Sequence, residues 1–311
     1  MSEQKSNKTD MVIYKVRTYL SCMNQGIKLP TRHILDLSKY LIPSLLCSVV
    51  FAVVVLLLSY LYPLPFSPKA QFDFNLTNII LAVVFVTLLF VLCEGCFLSQ
   101  LFHVVSKYAD AGKWQSFTWK QSMTEWRRFY PRVLLFLAVG VLVTALVSVP
   151  LIVWLGIANI WVYVLIFVWF VFVLIPYTMV GWDYSLSHDR SFSGSLLRIK
   201  EGYRYFGSYS AVWLVCGLLT LAMSCVVWLP SVILLYAQRA SMLGEFMGDV
   251  SDLPGILIPL LFLLTMVSAV VGKLFSCLLF FPLTYLYGSI VTRCKEEAKY
   301  EEEEKGLTAI E

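Results

Sequence analysis

The chain has 311 residues, of which 59% are hydrophobic, 15% aromatic and 14% charged, with a net charge of +4. Soluble domains contain roughly 45–50% apolar residues, glycine included, and about 25% charged ones. An ordinary soluble core is therefore excluded, and the charge content is too low for a disordered chain. Eight cysteines in this length also exclude a disulfide-stapled secreted domain. The composition is that of a membrane protein.

Six apolar stretches are long enough to cross a membrane as helices. A span needs about 20 residues, because each helical residue rises about 1.5 Å through a hydrocarbon core of about 30 Å. The predicted spans are residues 41–62, 78–102, 133–150, 161–182, 211–236 and 256–291. We therefore expect an all-α membrane protein with a six-helix transmembrane domain over residues 41–291.

The third and fourth spans come from one uncharged stretch, residues 133–182. As a single helix it would be about 75 Å long, more than twice the hydrocarbon thickness, so it must reverse once. Pro150, Gly156 and Asn159 are the turn-forming residues near its middle. We place the reversal there.

Lysine and arginine are distributed very unevenly between the two sides of the predicted spans. The side that holds both termini carries 21 of the 24, the other side carries Lys69 and Arg239, and Lys273 lies inside the last span. Because cationic loops stay in the cytoplasm, we predict an inner (plasma) membrane protein with both termini cytoplasmic. Residues 1–40 then form a cytoplasmic segment with interfacial helices, and residues 292–311 form a charged cytoplasmic tail. The positive charge faces an anionic inner leaflet, and we expect no nucleic-acid partner.

Two loops on the basic side have the pattern of helices that lie on a membrane surface. Over residues 119–130 and 192–206, aromatic and aliphatic side chains recur at helical spacing and basic residues occupy the other positions. Residues 11–19 and 34–40 show weaker versions. Such amphipathic helices bind an anionic leaflet. The predicted membrane-surface contacts are Trp119, Trp126, Arg127, Arg128, Tyr203 and Arg204.

These features suggest a unit of one surface helix, one outgoing span and one returning span. Residues 116–131 and 191–207 align within one residue of register, and a weaker copy precedes the first span. Every copy would enter the membrane in the same orientation, unlike the inverted repeats of many transporters. We therefore predict three parallel two-helix repeats.

The chain also resembles, in its pattern over about two thirds of its length, a known group of proteins. The similarity is carried by Pro176-Tyr177, Tyr184-Ser185-Leu186, Asp189, Ser195-Leu196 and Phe206-Gly207-Ser208. This pattern resembles uncharacterised six-span bacterial inner-membrane proteins, which are similar to the membrane domain attached to some glycerophosphodiester phosphodiesterases. The resemblance implies a fold and no reaction, since we expect no room for the catalytic barrel of those enzymes beside the spans.

Two ionisable residues lie inside predicted spans, Glu94 in the second and Lys273 in the sixth. A charge at a helix centre costs roughly 2.5–3.5 kcal/mol on insertion scales, so each needs an explanation. They could form a buried pair that joins the first and last repeats, or a proton or substrate relay. Alternatively, Glu94 reaches the cytoplasmic surface and Lys273 faces a polar gap. Counting residues to Lys107 and Arg293, the next cytoplasmic cations, places the two about 10 Å apart in depth.

No metal or cofactor site is predicted. Cys93-Glu94-Gly95-Cys96 has the Cys-x-x-Cys spacing of redox and zinc sites. A redox motif begins a helix, whereas this one lies near the inner end of a span, and a zinc site needs two more ligands. We interpret its cysteines as small packing residues. His33, His103 and His188 occur singly, without the spacing that places two ligands on one helix face.

The leading functional hypothesis is a non-enzymatic membrane protein that organises lipid, or a partner protein, through its basic aromatic surface helices. The alternative is a transporter or channel-like carrier that uses Glu94 and Lys273. The expected partners are the lipid bilayer and, beyond it, a protein partner or a second copy of the chain. A polar path through Glu94 or Lys273 would favour transport, and a dry, packed centre would favour the structural role.

Overall fold

A computed structural model of the chain describes residues 13–61, 76–111, 114, 119–156, 159–187, 190–246 and 255–308. Over these ranges the chain is helical and contains no strand. Six segments are long and apolar enough to cross a membrane: 42–59, 81–111, 130–155, 160–186, 206–241 and 257–300. The predicted all-α, multi-pass membrane fold is confirmed. Lys69, His188 and Asp189 lie outside the described residues.

The helices of the described ranges are, in chain order, α1 (Tyr19–Arg32), α2 (Ile34–Tyr40), α3 (Ile42–Leu61), α4 (Leu76–Ala111), α5 (Trp119–Thr124), α6 (Tyr130–Leu155), α7 (Ile160–Trp169), α8 (Ile175–Leu186), α9 (Phe192–Leu196), α10 (Ile199–Arg204), α11 (Phe206–Phe246), α12 (Leu257–Phe275) and α13 (Cys277–Thr308). A 3₁₀ turn over Glu125–Arg128 precedes α6, and a π-helical turn over Phe170–Leu174 joins α7 to α8. Helices α7 and α8 together form the fourth span.

The reversal between the third and fourth spans lies where Gly156 and Asn159 predicted it. Helix α6 ends at Leu155, and Gly156 follows with a φ of 81°, a left-handed conformation that favours glycine. Asn159 caps α7, because its side-chain oxygen accepts a hydrogen bond from the backbone N–H of Trp161 at 3.0 Å. Pro150 takes no part in the turn: α6 continues through it, as transmembrane helices often do.

The sixth span is divided into two helices. Helix α12 ends at Phe275, α13 begins at Cys277, and Ser276 separates them. Residues 280–291 of α13 are all buried, among side chains from α1, α4, α8 and α11. We call this region, in which α13 is the central helix, the packed end of the bundle.

The spans form a ring. Helix α12 lies between α3 and α11, α4 lies between α3 and α6, and α8 contacts both α6 and α11. The first and last spans are therefore neighbours. The two helices of each predicted outgoing and returning pair also contact one another. The threefold repeat itself stays a prediction.

The segment before the first span is built into the packed end. Residues 13–18 are not helical, so the prediction of a surface helix over 11–19 is wrong for these residues. Helix α2 has the bounds of the helix predicted over 34–40. Helix α1 packs antiparallel to α13, with Gly26 against Pro282 and Ile13 against Gly288. The absent side chains of the two glycines let the backbones approach closely.

We expect Gly26→Ala to destabilise the protein. A Cβ atom at position 26 would lie 2.4 Å from the backbone nitrogen of Pro282, so α1 would have to move away from α13. Overpacking of this kind typically costs about 1–3 kcal/mol. Gly207→Ala is the matched control, since a Cβ there meets nothing within 4 Å. Thermal melting in detergent should place Gly26→Ala below the wild type and Gly207→Ala level with it. Equal melting temperatures for the two variants would refute the close contact.

Candidate functional site

The structure brings Glu94 and Lys273 together. The ammonium of Lys273 on α12 donates a hydrogen bond to the carboxylate of Glu94 on α4. The side chain of Lys273 is only 12% exposed, and that of Glu94 is 23% exposed. The Lys273 nitrogen also lies 4.5 Å from the centre of the Phe97 ring, within the range of a cation–π contact. The pair therefore joins the second span to the sixth.

The expected depth difference of about 10 Å between the two residues is wrong, because their side chains are in contact. Lys273 lies in the last turn of α12, three residues before the interruption at Ser276. A cation in the last turn of a helix is also favoured by the partial negative charge of that end.

Glu94 and Lys273 line a cavity of about 400 Å³ between α3, α4, α11 and α12. Its lining on α12 runs from Leu261 to Lys273, about 18 Å along the helix. Most of the walls are apolar. Large apolar side chains in the lining include Phe51, Val55, Phe90, Trp228 and Leu235.

Three serine hydroxyls in the lining add little polarity, because they are hydrogen-bonded to neighbouring protein atoms. Ser48 donates to the carbonyl of Ser44 at 2.9 Å, and Ser59 donates to the carbonyl of Leu56 at 2.7 Å. Ser231 lies 3.3 Å from the hydroxyl of Ser268. The charged chemistry of the cavity is therefore concentrated at the Glu94–Lys273 pair.

After Glu94, toward its C-terminus, α4 enters the packed end. Phe97 and Leu101 follow Glu94 by about one and two turns, and both are almost completely buried, as is Phe281 on α13. In the described part of the chain, the pair thus lies between an apolar cavity and a tightly packed apolar core.

The cysteines beside Glu94 make packing contacts. The Cys93 thiol lies 3.4 Å from the backbone oxygen of Cys47 on α3. A Cβ atom at Gly95 would lie 3.3 Å from the ring of Tyr130, so glycine there allows α6 to approach. Within the described ranges, no three His, Cys, Asp or Glu side chains are arranged to hold a metal ion.

A second polar cluster, centred on Asp183, was not predicted. The Asp183 carboxylate on α8 is only 2% exposed. It accepts hydrogen bonds from the hydroxyl of Ser195 at 2.8 Å and from that of Tyr287 at 3.1 Å. Arg190 donates to both of its oxygens, at 3.0 and 3.1 Å, and Arg198 lies 3.5 Å away. The cluster connects α8, the segment leading into α10 and α13.

The sequence contains a signal for this cluster. Asp183 directly follows Trp182, the last residue of the predicted fourth span. Arg190 and Arg198 follow it within 15 residues. An acidic residue at a span end with two nearby arginines indicates a loop that folds back on the helix, since a buried carboxylate needs partners.

A third polar cluster connects α2, α4 and the 3₁₀ turn before α6. The hydroxyl of Tyr40 forms a hydrogen bond with Nδ1 of His103. Nε2 of the same ring lies 3.1 Å from the carboxylate of Glu125, which also pairs with Lys107. The hydrogen bond from Lys107 lowers the pKa of Glu125 below its usual value.

The predicted surface segment over 119–130 is not one helix. Helix α5 ends at Thr124, and the 3₁₀ turn over Glu125–Arg128 follows. Arg127 and Arg128 are exposed, whereas Trp126 packs edge-on against Tyr130, with ring centres 5.5 Å apart. The side chain of Trp119 lies outside the described part of the structure.

The other surface segment, over 192–206, is also divided, into α9 and α10. The hydroxyl of Tyr203 donates to the backbone oxygen of Phe172 at 2.8 Å, so this ring is attached to the fourth span. Arg204 is exposed and pairs with Glu297 on α13 at 3.1 Å. Tyr203 and Arg204 thus contact neighbouring helices as well as the protein surface.

Comparison with protein-family models, with curated proteins and with solved structures finds no match to this chain. The resemblance of the chain to membrane domains of glycerophosphodiester phosphodiesterases stays a prediction. The function is therefore inferred from the geometry of the chain itself.

We expect Lys273→Leu alone to destabilise the protein, because it leaves the Glu94 carboxylate partly buried without its partner. Breaking a buried ion pair costs about 3–5 kcal/mol, whereas replacing both charges by apolar residues is often neutral. The double variant Glu94→Leu/Lys273→Leu should therefore recover most of the lost stability in a thermal double-mutant cycle in detergent. Lys299→Leu, at an exposed lysine, controls for the loss of a cation. If the effects of the two substitutions on stability were simply additive, the result would contradict an interaction between Glu94 and Lys273.

The Glu125 contacts predict a pH dependence. Since folding lowers the pKa of Glu125, its ionised form stabilises the protein above the ordinary value of 4.5, and this stabilisation is lost as the pH falls through the folded-state pKa. Glu125→Gln should thus melt below the wild type at pH 7 and approach it as the medium is acidified. Glu302→Gln, at an exposed residue of α13, should match the wild type at both pH values. If the difference in melting temperature between Glu125→Gln and the wild type became larger in acid, the result would be inconsistent with these contacts.

Proposed function

We propose that this protein is a non-enzymatic inner-membrane protein that binds a lipid-like amphiphile inside the bilayer and thereby organises lipid. The observation that carries the proposal is the cavity of about 400 Å³ with apolar walls and the Glu94–Lys273 pair in its lining. Ligand sites commonly measure about 300–1,000 Å³ and combine apolar walls with a few placed polar groups.

The shape of the cavity favours an amphiphile with a single long apolar chain. Its length of about 18 Å along α12 is close to half of a hydrocarbon core of about 30 Å, the depth of one leaflet. The charged pair would meet the polar group of the ligand, and the apolar walls would contact its chain. Each part of such a ligand would thus contact a part of the cavity lining with similar polarity.

The packed end favours binding over passage across the membrane. A carrier needs a route for a polar substrate beyond the charged pair. Phe97 and Leu101 fill this position on α4, and Phe281 on α13 belongs to the same core. The carrier hypothesis would require these side chains to separate, whereas a binding role requires no such movement.

The basic surface of the packed end supports the proposed orientation. With both termini in the cytoplasm, the exposed Arg127 and Arg128 would face the anionic inner leaflet. Each basic residue near such a surface contributes about 1 kcal/mol of attraction. The cavity would then extend from the level of the pair toward the outer side of the membrane.

We expect Ala52→Phe to abolish retention of the amphiphile. Ala52 is a small, buried residue of the cavity wall, so a phenyl ring there would occupy the space of the ligand chain. Native mass spectrometry of protein purified from membranes and washed with detergent should show a bound mass on the wild type and not on Ala52→Phe. Ala145→Phe, the same change at an exposed residue of α6, should retain it.

Ala269→Phe provides a second block from another helix, since Ala269 lines the same cavity on α12. Thermal melting identifies whether either variant fails to fold. No bound mass on the wild type, or equal retention by Ala145→Phe and both folded blocked variants, would refute the proposed binding site.

A further inference from the structure

A second pocket, distinct from the intramembrane cavity, lies where α1, α11 and α13 meet at the packed end. It has a volume of about 180 Å³. Its polar lining includes Arg17, Thr18, Tyr205, Ser208, Ser289 and Arg293. We propose that this pocket binds a phosphate group, carried by an anionic lipid headgroup or free in solution.

Two guanidinium groups supply the positive charge of the pocket. The Arg17 guanidinium lies 5.3 Å from the centre of the Tyr285 ring. Arg293 donates a hydrogen bond to the backbone oxygen of Arg17 at 3.1 Å. A guanidinium has five N–H donors in a rigid fork, so Arg293 has donors beyond this one bond. The fork matches the oxygens of a phosphate, and charge-assisted bonds of this kind are among the strongest hydrogen bonds in proteins.

Two long helices also begin at this pocket. Thr18, which lines it, is the residue that caps α1, and Tyr205 directly precedes α11. The first backbone N–H groups of a helix and its dipole give the N-terminus a partial positive charge that favours anions. The two helix ends therefore add to the field of the arginines.

One carboxylate of α13, Glu297, lies beside the pocket, and its charge is paired with a basic residue outside the lining. It pairs with Arg204 at 3.1 Å and accepts a hydrogen bond from the hydroxyl of Tyr205 at 3.2 Å. Within the described ranges, the ion pairs of the structure do not include Arg293. The positive charge of Arg293 is thus available to an external anion.

The size and position of the pocket fit a phosphate group. Its volume is roughly six times the ~30 Å³ that a water molecule occupies in the liquid. It lies at the end of the bundle that carries the basic loops, and basic pockets between membrane helices bind the headgroups of anionic lipids. The proposal does not depend on the intramembrane cavity, because none of the lining residues is shared.

The first experiment compares two phosphate sources on the full-length protein, delipidated in a neutral detergent. Phosphatidylglycerol at a hundredfold excess over its Kd should raise the melting temperature by roughly 5 °C, and diacylglycerol, which carries no phosphate group, should not. Inorganic phosphate is tested against chloride at equal ionic strength. A shift with both ligands means that the phosphate group suffices, and a shift with phosphatidylglycerol alone assigns the site to a lipid. No shift with either one overturns the proposal.

The second experiment tests the position of the site. Arg293→Gln should abolish the rise in melting temperature that phosphatidylglycerol causes. Arg128→Gln should keep this shift, because Arg128 is exposed outside the pocket. Ser208→Asp places a carboxylate in the pocket near the start of α11, where a negative charge favours the helix and would repel phosphate. It should fold and lose the shift. An unchanged response of folded Ser208→Asp, or an equal loss in Arg128→Gln, overturns the assignment.

Discussion

The buried carboxylate of Asp183 is the constraint on which the packed end depends. A charge at this depth must be paired, since an unpartnered buried ion costs several kcal/mol. Its partners come from two parts of the chain: Arg190 and Ser195 from the segment after the fourth span, and Tyr287, 104 residues away, from the middle of α13. Satisfying one carboxylate therefore folds that segment back over the bundle and fixes α13 against α8.

The break at Ser276 lets one stretch of sequence contribute to two environments. Helix α12 stays in the ring of spans between α3 and α11, and α13 becomes the central helix of the packed end. Lys273 ends up at the boundary between them, where its ammonium reaches Glu94. The cavity lies next to the packed end, and the Glu94–Lys273 pair is the charged group of its lining at this boundary. The pocket proposed to bind phosphate lies beside Arg293 of α13.

The number and type of the spans could be predicted because they depend only on length and local hydropathy. The contact between Glu94 and Lys273 could not, since it joins two helices that are 179 residues apart in sequence. Helix α1 lies mostly between the two surface helices predicted before the first span, and its packing depends on Gly26, which provides space for Pro282 of α13. The cluster at Asp183 could be predicted only in part, since Arg190 and Arg198 follow it within 15 residues but Tyr287 is 104 residues away. Each of these features requires knowledge of contacts between residues that are far apart in sequence.

An experimental density map of the protein in lipid nanodiscs would test most directly whether the cavity is a binding site for an amphiphile. We expect elongated density between α3, α4, α11 and α12, with its polar end within hydrogen-bond distance of Lys273 or Glu94. The same map should show the hydrogen bond between these two residues and apolar side chains filling the core below them. A cavity closed by direct packing of Phe51 and Trp228, or a water-filled path that continues past Phe97 to the packed end, would contradict it.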